Sequence, residues 1–124
     1  MLIALITILL LGGGDSAVLD FVSYMRDSVD EVVADDERRK DATATLKEMK
    51  KLTNTHLKAN GKAFKALLGE VSELETDVAA TEAIWSDYNR ATESYNQQMI
   101  DLRFKLRDSL TRSEWERIFV EPGD

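Results

Sequence analysis

The sequence predicts an all-α protein: an antiparallel long-helix hairpin or three-helix bundle with an N-terminal apolar helix and a short C-terminal helix. Three observations carry this expectation. Between Asp15 and Val120 there is no proline and only two glycines, Gly61 and Gly69, so little interrupts the backbone. The residues filling that stretch are Ala, Leu, Glu, Lys, Arg, Met and Gln, which lose little side-chain freedom in a helix, and no run alternates as a strand would. Apolar or small residues also recur at steps of three and four. They run through Val18, Val22, Met25, Val29 and Val32, then Leu46, Met49, Leu57, Phe64, Leu67, Val71, Leu74 and Val78, and finally Trp85, Tyr88, Tyr95, Met99, Leu102 and Leu106. A mean spacing near 3.5 is what helices packed side by side require.

Length and composition bound the rest. A chain of 124 residues is one domain's worth and can bury a modest helical core. The absence of cysteine excludes a disulfide framework, a thiolate metal site and a thiol nucleophile. A net charge of -7 argues against a general nucleic-acid binder, because affinity for a duplex comes largely from neutralising phosphates.

Residues 1–14 read as a signal or membrane-anchor segment, residues 15–120 as the helical domain, and residues 121–124 as a disordered tail. Leu2 to Leu11 is uninterrupted apolar sequence, followed by Gly12-Gly13-Gly14 and then Asp15-Ser16. Such a run is far short of the roughly 20 residues that span a bilayer, but it fits the apolar region of a secretory signal. No basic residue precedes it and no clear A-x-A site comes after it, so cleavage and retention both stand. If retained, residues 1–11 are the membrane contact. The acidic flank from Asp15 to Asp20 favours export of the helical region behind it, which places the protein in the periplasm or anchored on the extracytoplasmic side of a membrane.

Charge divides the helical region into blocks. Asp15 to Glu37 holds one arginine against eight acids; Arg38 to Lys65 holds nine basic residues against Asp41 and Glu48; Ala66 to Leu102 holds Arg90 against eight acids. A basic helix between two acidic ones is the pattern an antiparallel arrangement would use to set register. The first break is expected at Asp35-Asp36-Glu37, whose acids suit a helix N-terminus. For the second, Asn60-Gly61 is the stronger local turn signal. A break within Ser72 to Asp77, where Thr76 or Asp77 can cap a new helix, instead gives two matched helices of roughly 50 Å. The latter is favoured, with Gly61 inside a helix.

The closing element is defined locally. Leu110-Thr111-Arg112-Ser113-Glu114 contains a capping box, in which the Thr111 hydroxyl accepts the Glu114 N–H and the Glu114 carboxylate accepts the Thr111 N–H. Leu110 is placed to staple onto Trp115, and Ile118 and Phe119 complete an apolar face. A short helix should turn back onto the rest.

No catalytic, cofactor or metal site is evident in the residues. His56 is the single histidine, with no second imidazole or thiolate to share a metal. Acid pairs such as Asp27 with Glu31 and Glu73 with Asp77 read as solvated helix faces. There is no phosphate-cradling loop and no nucleophile elbow. The basic run Arg38, Arg39, Lys40, Lys47, Lys50, Lys51, Lys58, Lys62 and Lys65 either pairs with the acidic helices, stays solvated, or contacts phosphates or anionic lipid.

The segment from Met99 to Phe119, with Leu110-Thr111-Arg112-Ser113-Glu114 at its centre, resembles the closing part of the Spy/CpxP-like periplasmic proteins and their heavy-metal-resistance relatives. Their Leu-Thr-x-x-Gln motif opens a further helix after a long one, and Glu114 stands at the Gln position. The family's first such motif has no counterpart, since Leu52-Thr53-Asn54-Thr55-His56 lacks the Gln, and no histidine- or methionine-rich segment is present. The resemblance implies a small helical hairpin, often dimeric, acting as an ATP-independent chaperone or envelope-stress modulator. On the residues alone, two long helices and a short one cannot hide the whole apolar stripe. Phe64, Leu67, Val71, Trp85, Tyr88, Tyr95 and Met99 are therefore the candidate interaction surface, for a protein partner or for self-association as a homodimer, with no small-molecule substrate. The competing expectation is a structural coiled-coil spacer whose stripe is consumed in self-association.

Overall fold

The computed structural model describes residues 15–72 and 77–119. The expected leader at 1–14, the tail at 121–124 and the capping candidate Thr76 lie outside these residues. Four α-helices succeed one another: α1 (Asp15–Val32), α2 (Asp36–Ser72), α3 (Val78–Asp108) and α4 (Arg112–Phe119). The described protein is all-α.

Helix α1 presents Val18, Val22, Met25 and Val29 at helical spacing, and all four are buried. Its end and the start of α2 are fixed by one another. The Asp35 carboxylate accepts the backbone N–H of Arg38 at 2.8 Å, capping α2, while Asp36 and Glu37 place negative charge in the first turn. Helix α1 has no basic residue in its own last turn. Arg39 supplies one from α2, its guanidinium donating to the Val33 carbonyl at 3.2 Å.

Helix α2 runs for 37 residues, straight through Asn60-Gly61, and stops at Ser72. The strong turn dipeptide is overridden because the helix on either side of it continues in register. Asp77 then caps α3, its carboxylate accepting the Ala79 N–H at 3.0 Å. Helix α3 closes at Ser109, with Lys105 and Arg107 in the last turn suiting the negative end of the dipole.

Contacts between α2 and α3 run in opposite senses along the two helices: Glu48 meets Lys105 at 3.7 Å, and further along α2 the Thr53 hydroxyl meets the Tyr95 hydroxyl at 2.9 Å. Helix α1 packs on α2 and on α4. The core sits where the four helices converge. It is built from the α1 valines, Met25, Leu46, Met49, Tyr95, Met99, Leu106, Ile118 and Phe119. Phe119 is the join, with its ring centroid 4.2 Å from Trp115 and 6.5 Å from Phe21 of α1.

The capping box forms as expected: the Thr111 N–H donates to Glu114 Oε1 at 2.8 Å, and the Glu114 N–H donates to the Thr111 hydroxyl at 3.1 Å. Leu110 and Trp115 both pack, partly buried, against the core. Glu114 does more than close its own helix. It is buried, 9% exposed, and pairs with the Arg38 guanidinium of α2, which donates from both terminal nitrogens. That hydrogen bond is the main reason the Glu114 carboxyl is held below the ordinary glutamate range; burial opposes it, and the Thr111 N–H adds to it.

The expected pairing of charge blocks is not what joins the helices. Among the described residues two ion pairs cross between helices, Arg38 with Glu114 and Lys105 with Glu48, and the second has its acid on the basic helix. Among the described residues the buried side chains of α2 are apolar or hydroxyl, while its lysines are all exposed and none pairs with an acid of a neighbouring helix.

Three outcomes are expected. Thr111→Ala should cost about 1 kcal/mol, the usual worth of a lost cap. Glu114→Ala should cost about 2–3 kcal/mol because a charged, buried hydrogen-bond acceptor serving two helices is removed. Thermal unfolding of both variants checks the order. A carboxyl whose folded pKa is depressed contributes stability that is complete above its unfolded pKa, about 4.3, and fades as pH falls through the folded value. Acidification below about pH 4.3 should therefore destabilise the native protein more than Glu114→Gln, read from melting temperatures across that window.

Candidate functional site

The core occupies only part of the long helices. Among the described side chains, Thr53 is the last buried residue of α2 and Tyr95 the first of α3. Beyond them, among the described residues, α2 and α3 have only each other, and apolar residues accumulate on their exposed faces. Phe64 is 63% exposed, Leu68 50%, Val78 67% and Trp85 48%.

Phe64 and Trp85 border a groove of about 460 Å³ between the two helices, lined also by Leu57 and Leu67 from α2 and by Ile84 and Tyr88 from α3. Its shape arises from local sequence. Trp85 and Tyr88 are three apart, hence on one helix face, and meet edge to face with centroids 5.8 Å apart. Gly61 contributes no side chain to the opposite wall, and a Cβ built there meets nothing within 4 Å. Asn60 lines the groove too, its amide nitrogen lying 3.2 Å from His56 Nε2.

Through Asn60 the groove adjoins a polar and aromatic cluster. The His56 and Tyr95 rings stack in parallel at 4.0 Å, and the Tyr95 hydroxyl bonds Thr53, whose own hydroxyl also donates to the Met49 carbonyl at 2.8 Å. His56 is thus packed between helices. Among the described residues no group of three His, Cys, Asp or Glu is placed to hold a metal ion.

Of the residues expected on the interaction surface, Phe64, Leu67, Trp85 and Tyr88 come together in this groove. Tyr95 and Met99 do not, since both are buried in the core. The Val71 side chain lies outside the described set. Leu110, Thr111, Glu114 and Trp115 form the α3–α4 corner, where the Arg103 guanidinium lies 5.6 Å from the Trp115 ring. Sequence reasoning did not single out Ile84 or the Arg38–Glu114 pair. Ile84 is one residue off the stripe; Arg38 and Glu114 are 76 residues apart with no local signal linking them. No described helix is long and apolar enough to cross a membrane.

Comparison with known proteins finds no matching family model, no match among curated sequences and no match among solved structures.

Gly61 generates one expected outcome. A glycine inside a helix costs about 1 kcal/mol relative to alanine, and nothing here compensates it by close packing. Gly61→Ala should stabilise the protein by about that amount, raising the denaturant midpoint without changing the slope.

Proposed function

We propose that this is a helical binding protein of the envelope, periplasmic or tethered on the extracytoplasmic side of a membrane, that holds apolar polypeptide segments in the α2–α3 groove without nucleotide. The observation that carries this reading is the groove itself: an apolar cleft between two helices, with Phe64 and Trp85 exposed on its rims and no other described residue over it. A helix laid in a groove between two others is a common mode of recognition, with aromatic side chains as anchors. The reading takes the protein to be no enzyme. The leader and the likeness of residues 99–119 to the Spy/CpxP-like proteins point the same way, towards a helical hairpin with chaperone-like or stress-modulating activity.

A structural reading, in which the protein is a self-associating spacer or assembly subunit, is favoured by a separate observation. The α2 stretch from Leu57 to Leu67 carries Lys58, Lys62 and Lys65 and no acid, whereas α3 opposite carries Glu82, Asp87 and Glu93 with only Arg90. A two-fold axis along the groove would set the basic wall of one copy against the acidic wall of the other.

The two readings separate in one experiment. Stoichiometric protein is added to an unfolding client and aggregation is followed by light scattering, with the protein's own mass measured by sedimentation. The binding reading expects suppression that falls at least several-fold in Phe64→Ser/Trp85→Ser while helicity is kept. A stable dimer with no effect on the client would sink it and leave the structural reading.

A further inference from the structure

Helix α2 carries a second surface that shares no residue with the groove. Lys47, Lys50, Lys51 and Lys58 fall at helical spacing on one face and, with Arg26 of α1, line a shallow cleft of about 420 Å³ completed by Asn54 and Thr55. No carboxylate lines it. Among the described residues, none of these five cations takes part in an ion pair or hydrogen bond through its side chain. Acids do stand nearby: Lys47 also borders a depression with Asp30, Asp36 and Glu37, and Lys51 one with Glu48 and Asp101, but none comes within pairing distance. In a chain of net charge -7, five uncompensated cations in one cleft are a local reversal of sign.

We infer that this cleft docks on an anionic phospholipid surface. Four of its five cations are lysines, point charges on flexible stems, which suit laterally mobile headgroups. Recognition of carboxylates in fixed positions favours the planar fork of arginine. The chain does use arginine that way where the partner is fixed, at Arg38 with Glu114. From Lys47 to Lys58 the row extends about 16 Å along a helix, and Arg26 adds a parallel point, a footprint several headgroups wide. Net negative charge elsewhere repels the same membrane, so docking is oriented, with this face towards the headgroups.

The test uses the full chain in cosedimentation with vesicles of phosphatidylcholine alone and of phosphatidylcholine mixed with phosphatidylglycerol. Any contribution of the apolar residues 2–11 appears on both. Docking through the cleft appears as additional binding to the anionic vesicles, reduced by raising salt. Each lysine removed should lower that increment about five-fold, so Lys50→Gln/Lys51→Gln should lower it about 25-fold. Arg112→Gln/Arg117→Gln, the same charge change on α4, should leave most of it intact. Because these lysines are exposed, circular dichroism should find both variants as helical as the native chain. Equal binding to the two vesicle types, or an unchanged increment in the lysine variant, overturns the inference. So does self-association that the lysine variant abolishes while vesicle binding persists, which would assign the cleft to an acidic face of a second copy.

Discussion

Glu114 is a buried carboxylate that joins the start of α2 to the start of α4, and each of its oxygens has to find a donor there. Taking an ionised carboxylate out of water costs several kcal/mol unless each oxygen finds a donor. Here Oε1 receives the Thr111 N–H and one Arg38 nitrogen, and Oε2 receives the other. The positive end of α4 adds to the same site. Arg38 is itself fixed at the start of α2, where its backbone N–H is bound by the Asp35 cap. The chain thus ties the beginning of α2 to the beginning of α4 through one acidic side chain, and α4 is held at the angle that brings Ile118 and Phe119 over α1. With eight residues, α4 is too short to be helical by propensity alone. Its existence depends on that cap and on the apolar face it buries.

Helix lengths then decide where the core ends. At about 1.5 Å per residue, α2 extends roughly 55 Å and α3 roughly 46 Å, while α1, with 18 residues, covers roughly 27 Å. Within the described residues, α1 therefore shields about half of α2. The apolar stripe continues past its reach without changing period, and what is core beside α1 becomes groove beyond it. The groove is a consequence of unequal helix lengths acting on a uniform pattern.

That uniformity also sets how much could be read from the residues. Helix content, the break at Asp35–Glu37, the Asp77 cap and the Thr111–Glu114 box were legible because each rests on neighbours a few positions apart. Tyr95 and Met99 share spacing and character with Trp85 and Tyr88, so nothing local tells the buried pair from the groove pair; the difference lies in whether α1 stands opposite. Charge blocks misdirect for a related reason. Net charge per helix is indifferent to facing: the α2 lysines stay exposed at the margins of the contact while its buried apolar and hydroxyl residues make most of it. The Arg38–Glu114 pair had no sequence signal at all.

Helix α2 consequently presents three functions of position along one rod. One stripe is buried, one is lysine, and the outer turns face the groove. Gly61 and Gly69 both fall in the outer part, where no described side chain is buried and no neighbour fills the space they leave. Each lowers the intrinsic helix stability by about 1 kcal/mol, so opening of the outer turns requires less free energy than opening of the half that includes Leu46 and Met49. A groove walled by the less stable half of a helix can adjust to different apolar segments while the capped, fully packed half keeps its geometry. The same division keeps the lysine face orderly, because Lys47, Lys50 and Lys51 lie on the turns whose opposite side is buried in the core.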